Sequence, residues 1–137
     1  MSDRRIAVFF YGLFMDVRIL QSKGLDPKEV VPASVPGFAL RIGERATLVA
    51  DSESKAYGLL MHLTHDEVRK LYSEESVRAY QPEAVMAVLA DNSSVPALCF
   101  NLVIPPTSAE KNPGYAAKLR ELAGRLHLPA DYVASIE

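Results

Sequence analysis

Apolar and polar positions alternate along this chain in two different rhythms, and the rhythm changes mark its elements. Ile6-Ala7-Val8-Phe9-Phe10-Tyr11 is a short unbroken apolar run closed by Gly12, the pattern of a strand buried on both faces. Asp16 then stands where a helix N-cap is needed, and Val17, Ile19 and Leu20 fit a short helix ending near Gly24. Leu25 to Pro36 holds Pro27, Pro32 and Pro36 and reads as a connecting loop. Strands are predicted over 37–42, 46–50, 56–63, 83–90 and 95–104. The polar segments Asp51-Ser52-Glu53-Ser54 and Asp91-Asn92-Ser93-Ser94 are each expected to join two strands as a hairpin.

Helical patterns occupy the gaps. Thr64-His65-Asp66-Glu67 fits a capping box that opens a two-turn helix with Val68 and Leu71 inward. Pro113 suits a first helical position, and Tyr115, Leu119, Leu122 and Leu126 follow along one face. Pro129 can start a second short helix carrying Tyr132, Val133 and Ile136. Hairpins make antiparallel neighbours, so the fold class is α+β with a largely antiparallel, meandering sheet rather than alternating βα units.

Composition narrows this picture. At 137 residues the chain is expected to form one domain over 1–137. Hydrophobic residues make up 49% and charged residues 23%, so a core can form without disulfides or metals. The net charge of −2 comes with no basic block, which argues against nucleic acid as a partner. Arg4 and Arg5 are expected to be solvated. No apolar run reaches the length of about 18 residues that a membrane helix needs, and no signal-peptide pattern opens the chain. The one cysteine, Cys99, lies between Leu98 and Phe100 and is expected to be a buried, inert thiol. A cytoplasmic protein is the expectation, and its oligomeric state is left open.

Familiar chemistries are absent from the pattern. The seven glycines form neither a P-loop nor GxGxxG. His62, His65 and His127 lack partners at zinc spacings, so no metal is expected. His62 alternates with Met61 and Leu63 and is expected to face water.

Two segments depart from what packing alone asks. In Tyr11-Gly12-Leu13-Phe14-Met15-Asp16 a strand, a tight turn and a helix start would leave N–H groups able to receive a carboxylate. The alternative is that Leu13, Phe14 and Met15 simply plug the core. In Leu71-Tyr72-Ser73-Glu74-Glu75-Ser76-Val77-Arg78-Ala79-Tyr80, adjacent carboxylates stand at a helix C-terminus, where they are electrostatically disfavoured. Arg78 could hold them, they could act as a general base, or they could lie in a solvated acidic loop.

At these segments the chain resembles the gamma-glutamylcyclotransferase-like family. That family's first strand ends in a Tyr-Gly-Ser-Asn or Tyr-Gly-Thr-Leu loop, which takes the γ-glutamyl group on backbone amides; Tyr11-Gly12-Leu13-Phe14-Met15 stands in that place. Its later Leu-Asp-x-x-Glu-Gly pattern carries the catalytic acid/base, and Leu71-Tyr72-Ser73-Glu74-Glu75-Ser76 puts Glu75 on that Glu, or Glu74 with a shift of one residue. Tyr80 matches a Tyr that commonly follows. Gly37-Phe38-Ala39-Leu40, Ala46-Thr47-Leu48-Val49 and Tyr57-Gly58-Leu59-Leu60 are similar to its core strands, and Asn112 to Tyr115 and Leu128 to Tyr132 to its closing helices. The chain departs in Leu13 and Phe14 for the polar pair of the Tyr-Gly-Ser-Asn version, Tyr72 for Asp, and Ser76 for Gly.

The resemblance implies a sheet closing toward a small barrel with short helices packed around it. It implies a small-molecule γ-glutamyl substrate, 5-oxoproline as product, and no cofactor. Tyr11, Gly12, Leu13, Phe14, Met15 and Tyr80 would bind the substrate and Glu75 (alternatively Glu74) would move the proton. A module that keeps the fold and pocket without turnover, and an enzyme for a different amide substrate, are the rival expectations.

Overall fold

The computed structural model describes residues 4–75, 77–107 and 109–137. Its strands are β1 (Arg5–Phe10), β2 (Lys28–Ile42), β3 (Ala46–Thr64), β4 (Tyr80–Val88) and β5 (Ser94–Leu102); its helices are α1 (Val17–Ser22), α2 (His65–Leu71), α3 (Pro113–Arg125) and α4 (Ala130–Ser135). The strands close into a barrel in the order β1-β3-β2-β4-β5. Every neighbouring pair is antiparallel except β1 and β5, which run parallel with Val8 opposite Leu98. Closure removes the open sheet edges that would otherwise present unpaired N–H and C=O groups.

The local signals form as read. Asp16 caps α1 by accepting from the Arg18 N–H, and Gly24 follows the helix with φ +84°, the left-handed conformation that glycine adopts without Cβ strain. Thr64 and Glu67 make both bonds of the capping box, and Val68 and Leu71 are buried beneath it. Leu119 and Leu122 are the buried stripe of α3, whose first residue is Pro113. Asp91 to Ser94 does turn the chain between β4 and β5: the Leu89 N–H donates to Ser93 O, and Asn92 has φ +69°. Cys99 is unpaired and buried, and burial pushes its thiol up to about 12.

Four expectations are corrected. Residues 28–36 are not a loop but the first half of β2, pairing with β3 from Lys28↔His62 to Pro36↔Lys55. Proline is tolerated there because β2's other flank is paired to β4 only at Ser34↔Val88, so few ladder bonds need an N–H from it. Asp51 to Ser54 does not reverse the chain. The turn chemistry forms, with Asp51 accepting from the Glu53 N–H and the Ser54 hydroxyl, but β3 continues through it. Partners step from Pro36↔Lys55 to Phe38↔Ala50, so the segment bulges opposite Gly37. The reversal between β2 and β3 lies at 43–45, where the Gly43 N–H donates to Arg45 O. Nor is Arg5 simply solvated: its guanidinium donates to Asp26 O and His62 O and pairs with Glu67 at 3.4 Å. His62 itself is half-buried, with Nδ1 3.5 Å from Glu29 Oε2, rather than facing open water.

The core fills the barrel with Val8, Phe9, Leu60, Met61 and Leu63, and continues under the helices through Leu20, Leu71 and Leu119. At one point the strands leave no room for a side chain: a Cβ on Gly58 would lie 2.1 Å from the Phe10 carbonyl oxygen. That close approach sets β3 directly against the end of β1, where the turn leading to the site begins.

Candidate functional site

β1 is followed directly by Tyr11, which is buried and whose hydroxyl donates to Phe100 O on β5 at 2.7 Å. Burial, the leading cause, pushes its phenol well above the ordinary value of 10. The chain then passes through Gly12 into a single 3-10 turn, Leu13–Met15. Within it the Met15 N–H donates to Gly12 O and the Asp16 N–H to Leu13 O. The Leu13 N–H donates instead to the Tyr115 hydroxyl of α3 at 3.3 Å. Gly12 is required by that neighbour: a Cβ there would come within 2.7 Å of Tyr115 Oη. Asp16 fastens the end of the turn, pairing with Arg18 at 3.1 Å and approaching Arg125 of α3 at 3.9 Å. The Arg18 hydrogen bond holds its carboxyl below the usual carboxylate range.

This turn forms one wall of a cavity of about 240 Å³. Tyr11, Gly12, Leu13 and Phe14 line it from one side, Tyr72, Val77, Tyr80 and Phe100 from another, and Tyr115 from α3; Glu44 and Arg45 reach it from the β2–β3 reversal. The walls are a run of aromatic contacts. Phe14 meets Phe10 and Tyr72 edge-on, both with ring centres 6.3 Å apart, and Tyr72 stacks on Phe100 at 3.9 Å. Such offset and edge-on pairs are the favourable geometries for π-systems. The Tyr80 hydroxyl donates to Ala46 O. Burial raises the phenols of Tyr72, Tyr80 and Tyr115 above their ordinary value, so all are neutral at physiological pH.

Of the residues expected to bind substrate, Tyr11, Gly12, Leu13, Phe14 and Tyr80 thus meet around one cavity, while Met15 is buried in the core. Glu74 and Glu75 stand on the turn after α2, between the cavity residues Tyr72 and Val77, but neither lines the cavity. Glu74 is half-buried and accepts from Lys23 Nζ at 2.8 Å; Lys23, not Arg78, is its partner. Glu75 is exposed, and Ser76 lies outside the described residues. No cluster of three metal-binding side chains occurs among the described residues, and no helix of theirs is long and apolar enough to cross a membrane.

Residues 8–118 match the model of the family described as gamma-glutamyl cyclotransferase, AIG2-like. The chain belongs to that family. Solved structures agree in fold. A protein described as a gamma-glutamyl cyclotransferase superposes with a TM-score of 0.81 over 98% of this chain and 89% of its own, at 14% identity. An uncharacterised human protein gives 0.75 over 97% and 88%, at 15% identity. YkqA from Bacillus subtilis gives 0.77 over 97% of this chain and 53% of its own, at 22% identity. No curated protein matches the sequence significantly.

Within this AIG2-like cyclotransferase fold, the chain's departures from the family pattern cluster in space. Leu13, Phe14 and Tyr72 all face the same cavity. Further lining residues escaped the sequence reading, among them Glu44, Arg45, Phe100 and Tyr115. Tyr115 was visible as a member of an apolar helix face, and nothing local shows that its hydroxyl reaches the Gly12 turn. Glu44 and Arg45 are ordinary charged turn residues until the barrel closes and brings them against Tyr80.

Proposed function

We propose that this protein is a cyclotransferase that releases 5-oxoproline from a γ-glutamyl compound held in the aromatic cavity. The observation that carries the reading is the Tyr11–Phe14 turn, which lines the cavity in a chain matching the family model over 8–118. The turn's Leu13, Met15 and Asp16 N–H groups are engaged. Those of Gly12 and Phe14 are its candidates for the substrate's α-carboxylate, an anion suited to backbone donors.

Glu75, on the turn between Tyr72 and Val77, would swing toward the cavity mouth and take a proton from the α-ammonium. The freed amine attacks its own γ-carbonyl carbon, a ring C–N bond forms, and the C–N bond to the leaving amine breaks. Glu75 then returns the proton to that amine, and the extra proton left on the ring nitrogen follows through the same carboxylate, so the ring closes as a neutral lactam and the amine leaves as an ammonium. Orientation of an intramolecular attack supplies much of the acceleration without a cofactor. For the developing oxyanion, the hydroxyls of Tyr72 and Tyr115 are the candidates among the lining tyrosines. Those of Tyr11 and Tyr80 already donate to Phe100 O and Ala46 O, whereas Tyr115 Oη accepts from Leu13 and keeps its proton to donate.

The rival reading, a binding module without turnover, draws on one observation: neither Glu74 nor Glu75 lines the cavity. The deciding experiment incubates the protein with γ-glutamyl dipeptides, γ-glutamylamines and glutathione and measures 5-oxoproline beside Glu75→Gln and Glu74→Gln. Product lost in Glu75→Gln, with the variant folded, supports the mechanism above. Loss only in Glu74→Gln moves the acid/base by one residue. Ligand binding without product in the unaltered protein establishes the module.

A further inference from the structure

A second cavity, of about 540 Å³, adjoins the aromatic one, and the two share Glu44 and Arg45 in their walls. Its remaining lining includes Val103, Ile104, Pro105 and Pro106. Val103 and Ile104 are 73% and 85% exposed, unusual for two adjacent β-branched residues unless something apolar covers them. The two cavities therefore make one cleft, with a charged step between an aromatic half and an aliphatic half.

Arg45 at that step is fixed from several sides. Its carbonyl accepts from the Gly43 N–H, and the carbonyl of the next residue, Ala46, accepts from Tyr80. Gly43 packs so closely on the 105–107 segment that a Cβ would lie 2.4 Å from Pro106 Cβ, and Arg41 donates to Pro106 O. Arg45 is half-buried, and among the described residues its guanidinium has no ion pair and no hydrogen bond to protein. Its charge reaches the Tyr80 hydroxyl and opposes part of the effect of burial there. Glu44 and Glu110 also line the second cavity; both are exposed, and Glu110 already accepts from the Thr107 N–H, so solvent and salt screen their opposing charges more than they screen Arg45. A half-buried guanidinium on a fixed backbone, without a partner among the described residues, is suited to a carboxylate, which its fork can grip in two places.

We propose that Arg45 is the specificity residue for the leaving group: it binds the carboxylate of a hydrophobic α-amino acid joined to the γ-glutamyl unit, while that amino acid's side chain lies against Val103 and Ile104. This rests on the cyclotransferase reading for the placement of the γ-glutamyl head against the Tyr11–Phe14 turn. The leaving group then extends across the step, and its charge and apolar surface meet the two features that the cleft presents there.

The test compares γ-glutamyl-leucine with γ-glutamyl-3-methylbutylamine, the same molecule without the leaving-group carboxylate. Binding is followed by calorimetry and turnover by 5-oxoproline release, in the unaltered protein, Arg45→Gln and Ile104→Ser. The unaltered protein is expected to bind the leucine compound roughly ten- to a hundredfold more tightly, the range of a charge-assisted hydrogen bond. Arg45→Gln should erase that difference, weakening binding of the leucine compound far more than binding of the amine compound. Ile104→Ser should weaken binding of γ-glutamyl-leucine more than of γ-glutamyl-glycine; because Ile104 is exposed, folding is spared. Equal binding of the two compounds by the unaltered protein, a preference that survives Arg45→Gln, or binding of neither compound overturns the proposal. Carboxylate-selective binding with no 5-oxoproline sustains the role of Arg45 and overturns the cyclotransferase reading alone.

Discussion

Replacing Gly12 by Ala tests whether the candidate site's wall is held by the Tyr115 hydroxyl. Gly12 has φ −111° and ψ −153°, an extended conformation that alanine also adopts, so backbone strain is not the obstacle. The obstacle is contact: the new Cβ would sit 2.7 Å from Tyr115 Oη. An ordinary contact needs about 3.5 Å, so the hydroxyl must retreat by about 0.8 Å. It receives the Leu13 N–H at 3.3 Å, already near the limit, and that bond is lost. Loss of such a bond from a partly buried N–H costs about 1–2 kcal/mol. Against this, Gly→Ala restricts the unfolded chain and returns about 0.4–1 kcal/mol. The Gly12→Ala protein should therefore be about 0–1.6 kcal/mol less stable. In the Tyr115→Phe background the obstructing oxygen is gone, so the same change should be neutral or stabilising. The predicted coupling is about 1–2 kcal/mol, read from urea midpoints of the four proteins at constant slope. Equal cost of Gly12→Ala in both backgrounds would refute the reasoning and place the constraint elsewhere in the turn.

Two other expectations concern the scaffold. Gly58→Ala drives a Cβ to 2.1 Å from the Phe10 carbonyl oxygen; backbone cannot rotate away, so β1 and β3 must part, at about 3 kcal/mol and about 10 °C of melting temperature. A fall of under about 3 °C would show that the barrel yields there. Tyr11, Tyr72, Tyr80, Tyr115 and Tyr132 all have phenols raised by burial. The unfolded chain then loses these protons first, so stability is whole below about pH 10 and falls as pH rises beyond it. Absorbance at 295 nm should register most tyrosine ionisation together with loss of the fold. Ionisation of these five near pH 10 in a protein still folded by circular dichroism would contradict their burial.

What could be read from the sequence was local. The Asp16 cap, the Gly24 stop, the Thr64–Glu67 box and the Asp91–Ser94 turn each depend on residues within a few positions of one another, and each forms. What could not be read depends on which surfaces meet. Pro32 and Pro36 argue against a strand only if both flanks of β2 need donors, and the barrel's narrow contact between β2 and β4 relaxes that demand. Asp51 makes the turn its sequence predicts, yet the chain reverses at 43–45 instead, where Gly43 can seat against Pro106 from sixty residues away. The site follows the same division. Its wall from Tyr11 to Phe14 was legible as a strand–turn–helix junction; Glu44, Arg45 and Tyr115 belong to it through tertiary contacts alone.

The same distinction bears on what the cavity can accept. Along the chain, Leu13 and Phe14 in place of a polar pair and Tyr72 in place of an Asp are separate departures. In the folded protein they are one change, because Phe14 meets Tyr72 edge-on and Tyr72 stacks on Phe100. An isolated Asp at position 72 would place a carboxylate among Phe14, Phe100 and Tyr80 with costly desolvation, and a Ser-Asn pair at 13 and 14 would abandon the ring contacts that hold Tyr72. The three positions are therefore coupled in this chain through the ring contacts of Phe14 and Tyr72, which give the cavity an aromatic wall. What differs is the surface offered to a ligand: an aromatic wall beside the Val103–Pro106 groove suits the apolar leaving group proposed above.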